Sequence, residues 1–182
     1  MRAAKYRIFR AEHDCTRRDA APGIQHRGLM SPESERLVRE SWEALLPASD
    51  AVVARFYARL FESNPDLEKL FRPANMAEQR RKFVVMLSEI VRVIDTPDLL
   101  ISEVADSGRR HVAYGVQDRD YEDVGAALIW AIADALGDRC TPEIRDAWRE
   151  AYDLLAAVMR RAAMRTSGVS FPAVARPPQS GR

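Results

Sequence analysis

The sequence predicts an all-α domain of six to eight helices, and three observations carry that expectation. Apolar residues recur at a period near 3.6 over most of the chain. A polar residue followed by proline recurs as "SP" at 31, "NP" at 64, "TP" at 96 and "TP" at 141. No run alternates strictly enough to make a strand. The polar residue suits a helix N-cap because its side-chain oxygen accepts an unpaired N–H of the first turn. Proline at the next position gives up an N–H that had no helical partner. At 182 residues the chain can bury one sizeable core and is too short for two comfortable ones.

Taken in order, residues 1–30 read as a flexible basic leader without a sustained period, with Arg2, Lys5, Arg7, Arg10, Arg17, Arg18 and Arg27 against Glu12, Asp14 and Asp19. Two readings of it stand open: a genuine arm, or sequence upstream of a natural start at Met30. The first helix begins at Pro32 under a Ser31 cap. In the second, Val53, Phe56, Tyr57 and Leu60 share one face. In "NMAEQRRKFVVMLSEIVRVI" the inner stripe runs Gln79, Phe83, Met86 or Leu87, Ile90 and Ile94. In "DLLISEVADSGRRHV" it steps through Leu100, Val104, Ser107 or Gly108, and His111. "AALIWAIADAL", at 126–136, reads as a buried core helix interrupted by Asp134; it falls short of the ~20 residues that span a bilayer. Ile144, Trp148, Ala151, Leu155 and Val158 share a face of the last helix. Pro172, Pro177 and Pro178 preclude further helix, so residues 165–182 read as a disordered tail and the folded domain is expected at 31–164.

Composition narrows the function classes. Apolar residues make up 47% and charged residues 30%, ordinary for a soluble globular protein. A net charge of +1 is no broad positive field for nucleic acid. The start "MRAAKYRIFRAEHDCTRR" lacks the apolar stretch of a secretory signal. Cys15 and Cys140 are far apart and belong to no CxxC or Cys/His pattern. These features point to a reducing cytoplasm, free thiols, no nucleic-acid partner and no membrane span.

Three polar side chains stand out because the helical period turns them inward. His111 is the sole histidine after Leu29, and it lies on the apolar stripe of its helix. Gln79 shares a face with Phe83 and Ile90, and the Tyr57 hydroxyl lies between Val53 and Leu60. One inward histidine is more often a hydrogen-bonded core residue than a ligand, and a buried tyrosine or amide needs only some backbone partner. A shared polar object explains all three together. An iron porphyrin is such an object: a neutral imidazole takes one axial site while donors across the ring face a diatomic ligand. Lys82, three residues after Gln79 and at the edge of its face, can meet the porphyrin carboxylates.

The motifs "FYARLFESNPDLEKLF", "EQRRKF", "RRHVAYGVQDRDYEDVGAALIWAI" and "AWREAYDLLAAVM" resemble, in order and spacing, the globin domain of bacterial single-domain haemoglobins and flavohaemoglobins. The resemblance covers residues 31–164 and falls on four helices. It implies a globin fold around one haem b, with His111 as the proximal iron ligand and Gln79 in the distal position. It makes Phe71 the phenylalanine that packs on the haem at a helix corner, Tyr57 the inner hydroxyl that reaches the bound ligand, and Phe83 the residue one turn after the distal one. Val116 and Val124 match pocket walls, and Tyr121 the proximal-side tyrosine of flavohaemoglobins. Two departures follow. Only a short tail stands where flavohaemoglobins carry a reductase, and Ala163 falls where they place a proximal glutamate.

The reading favoured by these residues is a module that binds dioxygen reversibly for storage, delivery or buffering, with Tyr57 and Gln79 donating to the ligand. The alternative is a nitric oxide dioxygenase that works with a separate reductase. Nitric oxide and carbon monoxide are further ligands, and the chain is expected to be a monomer or homodimer. A haem-free interaction domain or sensor is the weaker third class, since no transmitter or DNA-binding segment follows the core.

Overall fold

In the computed structural model, residues 29–71 and 75–167 are described, and they form seven α-helices and two 3-10 turns. The helices are α1 Pro32–Leu45, α2 Ser49–Ser63, α3 Pro65–Phe71, α4 Met76–Arg92, α5 Pro97–Ala113, α6 Asp120–Leu136 and α7 Pro142–Ser167. Single turns at Leu46–Ala48 and Gly137–Arg139 join α1 to α2 and α6 to α7. The leader up to residue 28, with Cys15, and the tail from residue 168 lie outside the described residues. Met30, expected in the leader, is buried with the main core, and α7 runs three residues past the expected boundary at 164. At the start an apolar side chain joins the packing; at the end no proline intervenes before Pro172 to stop the helix.

Four helices begin at the Pro positions the sequence marks, and their starts are satisfied unequally. Ser31 Oγ accepts from Ser34 N at 3.0 Å, Asn64 Oδ1 from Asp66 N at 3.2 Å, and Thr141 Oγ1 from Ile144 N at 3.4 Å. Thr96 does not cap in this way; its hydroxyl turns to the Asp95 carboxylate at 3.3 Å. Asn75, which no proline follows, caps α4 by accepting from both Ala77 N and Glu78 N. Ile94 lies just past the end of α4 yet stays buried, since the turn that leads to α5 folds it back onto the core.

α7 is the central helix: α5 and α1 make their broadest contacts with it, while α2 lies on α6 and α4. Trp42, Phe56, Leu60, Ile132 and Trp148 fill the main core. Each large apolar side chain removed from water contributes about 1.5–3 kcal/mol. The two tryptophans meet edge to face at 6.3 Å, and their indole N–H groups are satisfied by Ser41 Oγ at 2.9 Å and Ser88 Oγ at 3.1 Å. A second apolar cluster of Ile90, Val93, Leu100, Val104 and Leu155 joins α4, α5 and α7.

α5 reaches α7 at a glycine. A Cβ on Gly108 would lie 2.6 Å from the Met159 carbonyl oxygen and 2.8 Å from its Cα. Only a hydrogen lets the two backbones approach so closely, and His111 sits one turn farther along the same helix. Gly108→Ala should therefore push α5 outward. The overpacking costs about 1–3 kcal/mol, which exceeds or cancels the ~1 kcal/mol that alanine adds to helix preference. A fall in Tm of up to about 8 °C is expected in a thermal melt; a rise in Tm would show that the helices part freely.

Candidate functional site

The site is built around the last turn of α5. The His111 ring is half-buried, and its Nδ1 lies 2.7 Å from the Ser107 carbonyl oxygen one turn back. Ser107 stands four residues before His111, so its carbonyl lies beside the ring. With Nδ1 donating its proton to the carbonyl, the Nε2 lone pair is left for a ligand.

His111 opens on a cavity of about 560 Å³ between α4, α5 and α7. Phe83, Leu87, Ile90, Val104, Leu128, Leu155 and Met159 give it apolar walls. Val85 and Met86, large apolar residues left exposed, stand beside it, and Arg81, Lys82 and Arg110 bring three cations to its margin. Lys82 Nζ pairs with Glu78 at 2.8 Å, which holds the glutamate carboxyl below its ordinary range. The sequence period puts Arg110 on the wetter side of α5, and the structure shows that side to be the cavity's edge.

A slightly larger groove, about 610 Å³, runs between α6 and α7. It holds no imidazole, and its lining includes the exposed Glu122, Trp130, Arg145 and Arg149. The His111 cavity is the one that combines apolar walls, a metal-ligating nitrogen and marginal cations.

Not all the expected residues line it. Lys82, Phe83 and His111 do; Tyr57, Phe71, Gln79, Val116, Tyr121 and Val124 do not. Tyr57, Phe71, Phe83 and Gln79 instead form one cluster. The Gln79 side-chain amide donates to the Tyr57 hydroxyl oxygen at 3.3 Å. Phe71 and Phe83 meet the Tyr57 ring edge-on at 5.4 and 5.9 Å. Phe83 also stacks on Phe56 at 4.8 Å, so its ring is shared between the cavity wall and this cluster. Burial pushes the Tyr57 hydroxyl up against a smaller opposing effect of the Gln79 hydrogen bond, so it keeps its proton and stays a donor at neutral pH. Val116 and Val124 are half-buried against the main core.

On α6, Tyr121 lies nearly parallel to His111, with 6.2 Å between ring centroids. Its backbone carbonyl accepts a short hydrogen bond from the Tyr152 hydroxyl. Tyr152 also lines the His111 cavity, and the sequence reading passes over it. Its signal was present: it follows Trp148 by four residues, on the inner face of α7. Gly125 lies against the Tyr152 ring, where a Cβ would come within 2.4 Å.

Among the described residues, no three His, Cys, Asp or Glu side chains come together in a way that could hold a metal ion. A metal on His111 would take its other ligands from a prosthetic group. An iron porphyrin fits the residues present: a flat apolar body for the walls and for Val85 and Met86, an open axial position for Nε2, and carboxylates for Arg81, Lys82 and Arg110. The volume lies within the range of ordinary ligand pockets, roughly 300–1,000 Å³.

Comparison with known proteins agrees. The sequence profile described as Globin matches residues 54–159. A flavohemoprotein of Deinococcus radiodurans is 35% identical over 133 residues, which are 72% of this chain and 33% of that protein. A flavohemoprotein of Rhodopirellula baltica is 31% identical over 148 residues, 79% of this chain and 36% of that protein. The chain spans about a third of the length of these curated relatives. Among solved structures, an engineered carbene transferase built on a candidate nitric oxide dioxygenase of Rhodothermus marinus is 32% identical, with a TM-score of 0.69 over 76% of this chain and 96% of that one. A hexacoordinated haem protein from an anhydrobiotic tardigrade shares the fold at 17% identity, with a TM-score of 0.69 over 78% of this chain and 99% of that one.

Tyr152 yields a pH test. Burial, reinforced by the neighbouring Tyr121, raises its hydroxyl well above the ordinary tyrosine range. The unfolded chain releases this proton near pH ~10 while the folded chain retains it, so the contribution is fully present below about pH 10 and is lost as pH rises beyond. Tyr152→Phe should cost about 0.5–1.5 kcal/mol at neutral pH, through the lost bond to the Tyr121 carbonyl. It should also flatten the alkaline loss of stability. Urea unfolding of both proteins near neutral pH and above the tyrosine range measures both effects, and parallel alkaline slopes would exclude Tyr152 as their source.

Proposed function

The chain belongs to the globin family, whose cofactor is haem, and from that premise we propose that it binds dioxygen reversibly, with His111 as axial ligand and Tyr57 and Gln79 as donors to the gas. The observation that carries this reading is the His111 imidazole, whose Nδ1 is fixed on the Ser107 carbonyl at 2.7 Å beside an apolar cavity. When bound, haem would supply ferrous iron that His111 would hold and that would take up a diatomic gas. The chain supplies the rest. Ser107 holds the tautomer and orientation of His111, the apolar walls exclude water, and Arg81, Lys82 and Arg110 offer partners to the two carboxylates.

Tyr57 is the stronger of the two donors. The bond from Gln79 uses a lone pair of the Tyr57 oxygen and leaves the O–H to donate elsewhere. Its ring is clamped among Phe56, Phe61, Phe71 and Phe83, whereas Gln79 is longer and less buried. The Phe83 ring both lines the cavity and packs edge-on against Tyr57, so it joins the donor pair to the cavity wall. Phe71, Val116, Tyr121 and Val124 support the pocket from behind the cavity walls.

A second reading, nitric oxide dioxygenation with a separate reductase, draws support from relatives named as flavohemoproteins and from the Rhodothermus marinus protein. Nitrate formed from nitric oxide much faster with an added reductase than without it would favour that reading.

Two substitutions test the primary one. His111→Ala should abolish stable haem retention, read as loss of the Soret band after desalting; a stoichiometric, six-coordinate haem spectrum in the variant would exclude His111 as the ligand. Tyr57→Phe should speed dioxygen dissociation and leave carbon monoxide dissociation nearly unchanged, because only dioxygen is strongly polarised in such a pocket. A charge-assisted hydrogen bond is worth about 1.5–3 kcal/mol, or roughly ten- to a hundredfold in rate. Stopped-flow measurement of both gases decides it: equal acceleration of both would point to a cavity effect, and none to a Tyr57 that does not face the ligand.

A further inference from the structure

We propose that the Arg160–Asp118 ion pair raises the reduction potential of the iron on His111, acting across the Tyr121 ring; this rests on His111 being the axial ligand. Tyr121 lies 6.2 Å from the His111 ring, with 23° between their planes. The Arg160 guanidinium carbon stands over the same Tyr121 ring, 5.2 Å from its centroid. Arg160 is in turn held by one residue of the α5–α6 connection: its Nε lies 2.6 Å from Asp118 Oδ1, and its Nη2 donates to the Asp118 carbonyl oxygen at 3.0 Å. Two ring contacts, Arg160 on Tyr121 and Tyr121 on His111, thus run in series from α7 to the imidazole, and Asp118 holds the first of them twice.

The pair is unequally solvated, and that gives it a sign. The Arg160 side chain is 29% exposed and the Asp118 side chain 76%. Water screens the carboxylate more than the guanidinium, so the field reaching His111 is net positive. A positive field favours the state that has gained an electron. By the two ring distances the guanidinium lies no farther than about 11 Å from the His111 ring. One charge at that range, in a medium between protein edge and water, changes the ratio of ferrous to ferric protein by about three- to tenfold at fixed applied potential.

Arg160 and Asp118 are positioning residues, and opposite signs separate their electrostatic action from mere support of the Tyr121 ring. Spectroelectrochemical titration of the haem-loaded full chain is compared with Arg160→Gln, Arg160→Lys and Asp118→Asn. The expected result is a lower potential in Arg160→Gln, a higher one in Asp118→Asn, and a value near the unsubstituted one in Arg160→Lys. Equal potentials in all four proteins, or shifts of one sign in Arg160→Gln and Asp118→Asn, would overturn the ion-pair proposal and leave His111 untouched. An unsubstituted protein without a histidine-ligated haem spectrum would overturn the His111 reading and this proposal with it. Asp118 is exposed, so Asp118→Asn keeps the test decisive even if an Arg160 variant does not fold.

Discussion

The backbone contact between α5 and α7 at Gly108 is the constraint on which the site depends. With the Met159 carbonyl and Cα where a Cβ would otherwise stand, the two helices are locked at a separation only glycine permits. His111 follows three residues later, near the end of the same rigid helix, and Ser107, the residue before the glycine, supplies the carbonyl that fixes its ring. Ile90, Val104 and Leu155 of the second apolar cluster line the cavity beside it, between α4, α5 and α7. A single close approach therefore sets helix spacing and imidazole position together.

Around that contact four inward polar tips have named partners. Trp148 is met by Ser41, Trp42 by Ser88, Tyr57 by Gln79, and Tyr152 by the Tyr121 carbonyl. An unpaired group in such a core costs about 1–3 kcal/mol, about twice the net gain from a typical hydrogen bond, so these pairs constrain rotamers more than they add stability. The constraint has functional content. Burial keeps the phenols protonated, and the Ser107 carbonyl, by taking Nδ1, leaves the imidazole Nε2 as the uncommitted nitrogen.

The helices were readable because their signals are local. Apolar period and cap-proline pairs act within one or two turns, and the starts at Pro32, Pro65, Pro97 and Pro142 all appear. The inward tips Tyr57, Gln79 and His111 follow from the same period. What the sequence conceals is contact between helices. Gly108 reads as either of two residues on a stripe, and nothing local tells that Met159 lies against it. Arg110 looks solvent-facing from the period alone, yet the wet side of α5 is also the cavity margin. Tyr152 and Arg160 belong to a helix whose apolar face draws attention away from them, and their partners are 31 and 42 residues away. Val116 and Val124, expected at pocket walls, pack on the core instead, since whether an apolar side chain borders a cavity or a neighbouring helix depends on space that no period encodes.

The two sides of the site are held by different means, and this bears on how it works. His111 is tied to a backbone carbonyl on a helix that is itself pinned by backbone contact, so the ring has little freedom. The Phe83 wall is retained by aromatic contacts with Phe56 and Tyr57, each worth only about 0.5–1.5 kcal/mol beyond its burial. The imidazole is thus held by backbone, and the aromatic wall by weaker side-chain contacts. The Tyr57–Gln79 pair joins this wall through the edge-on contact of Phe83 with the Tyr57 ring, so one side chain links the aromatic cluster to the cavity that His111 also lines.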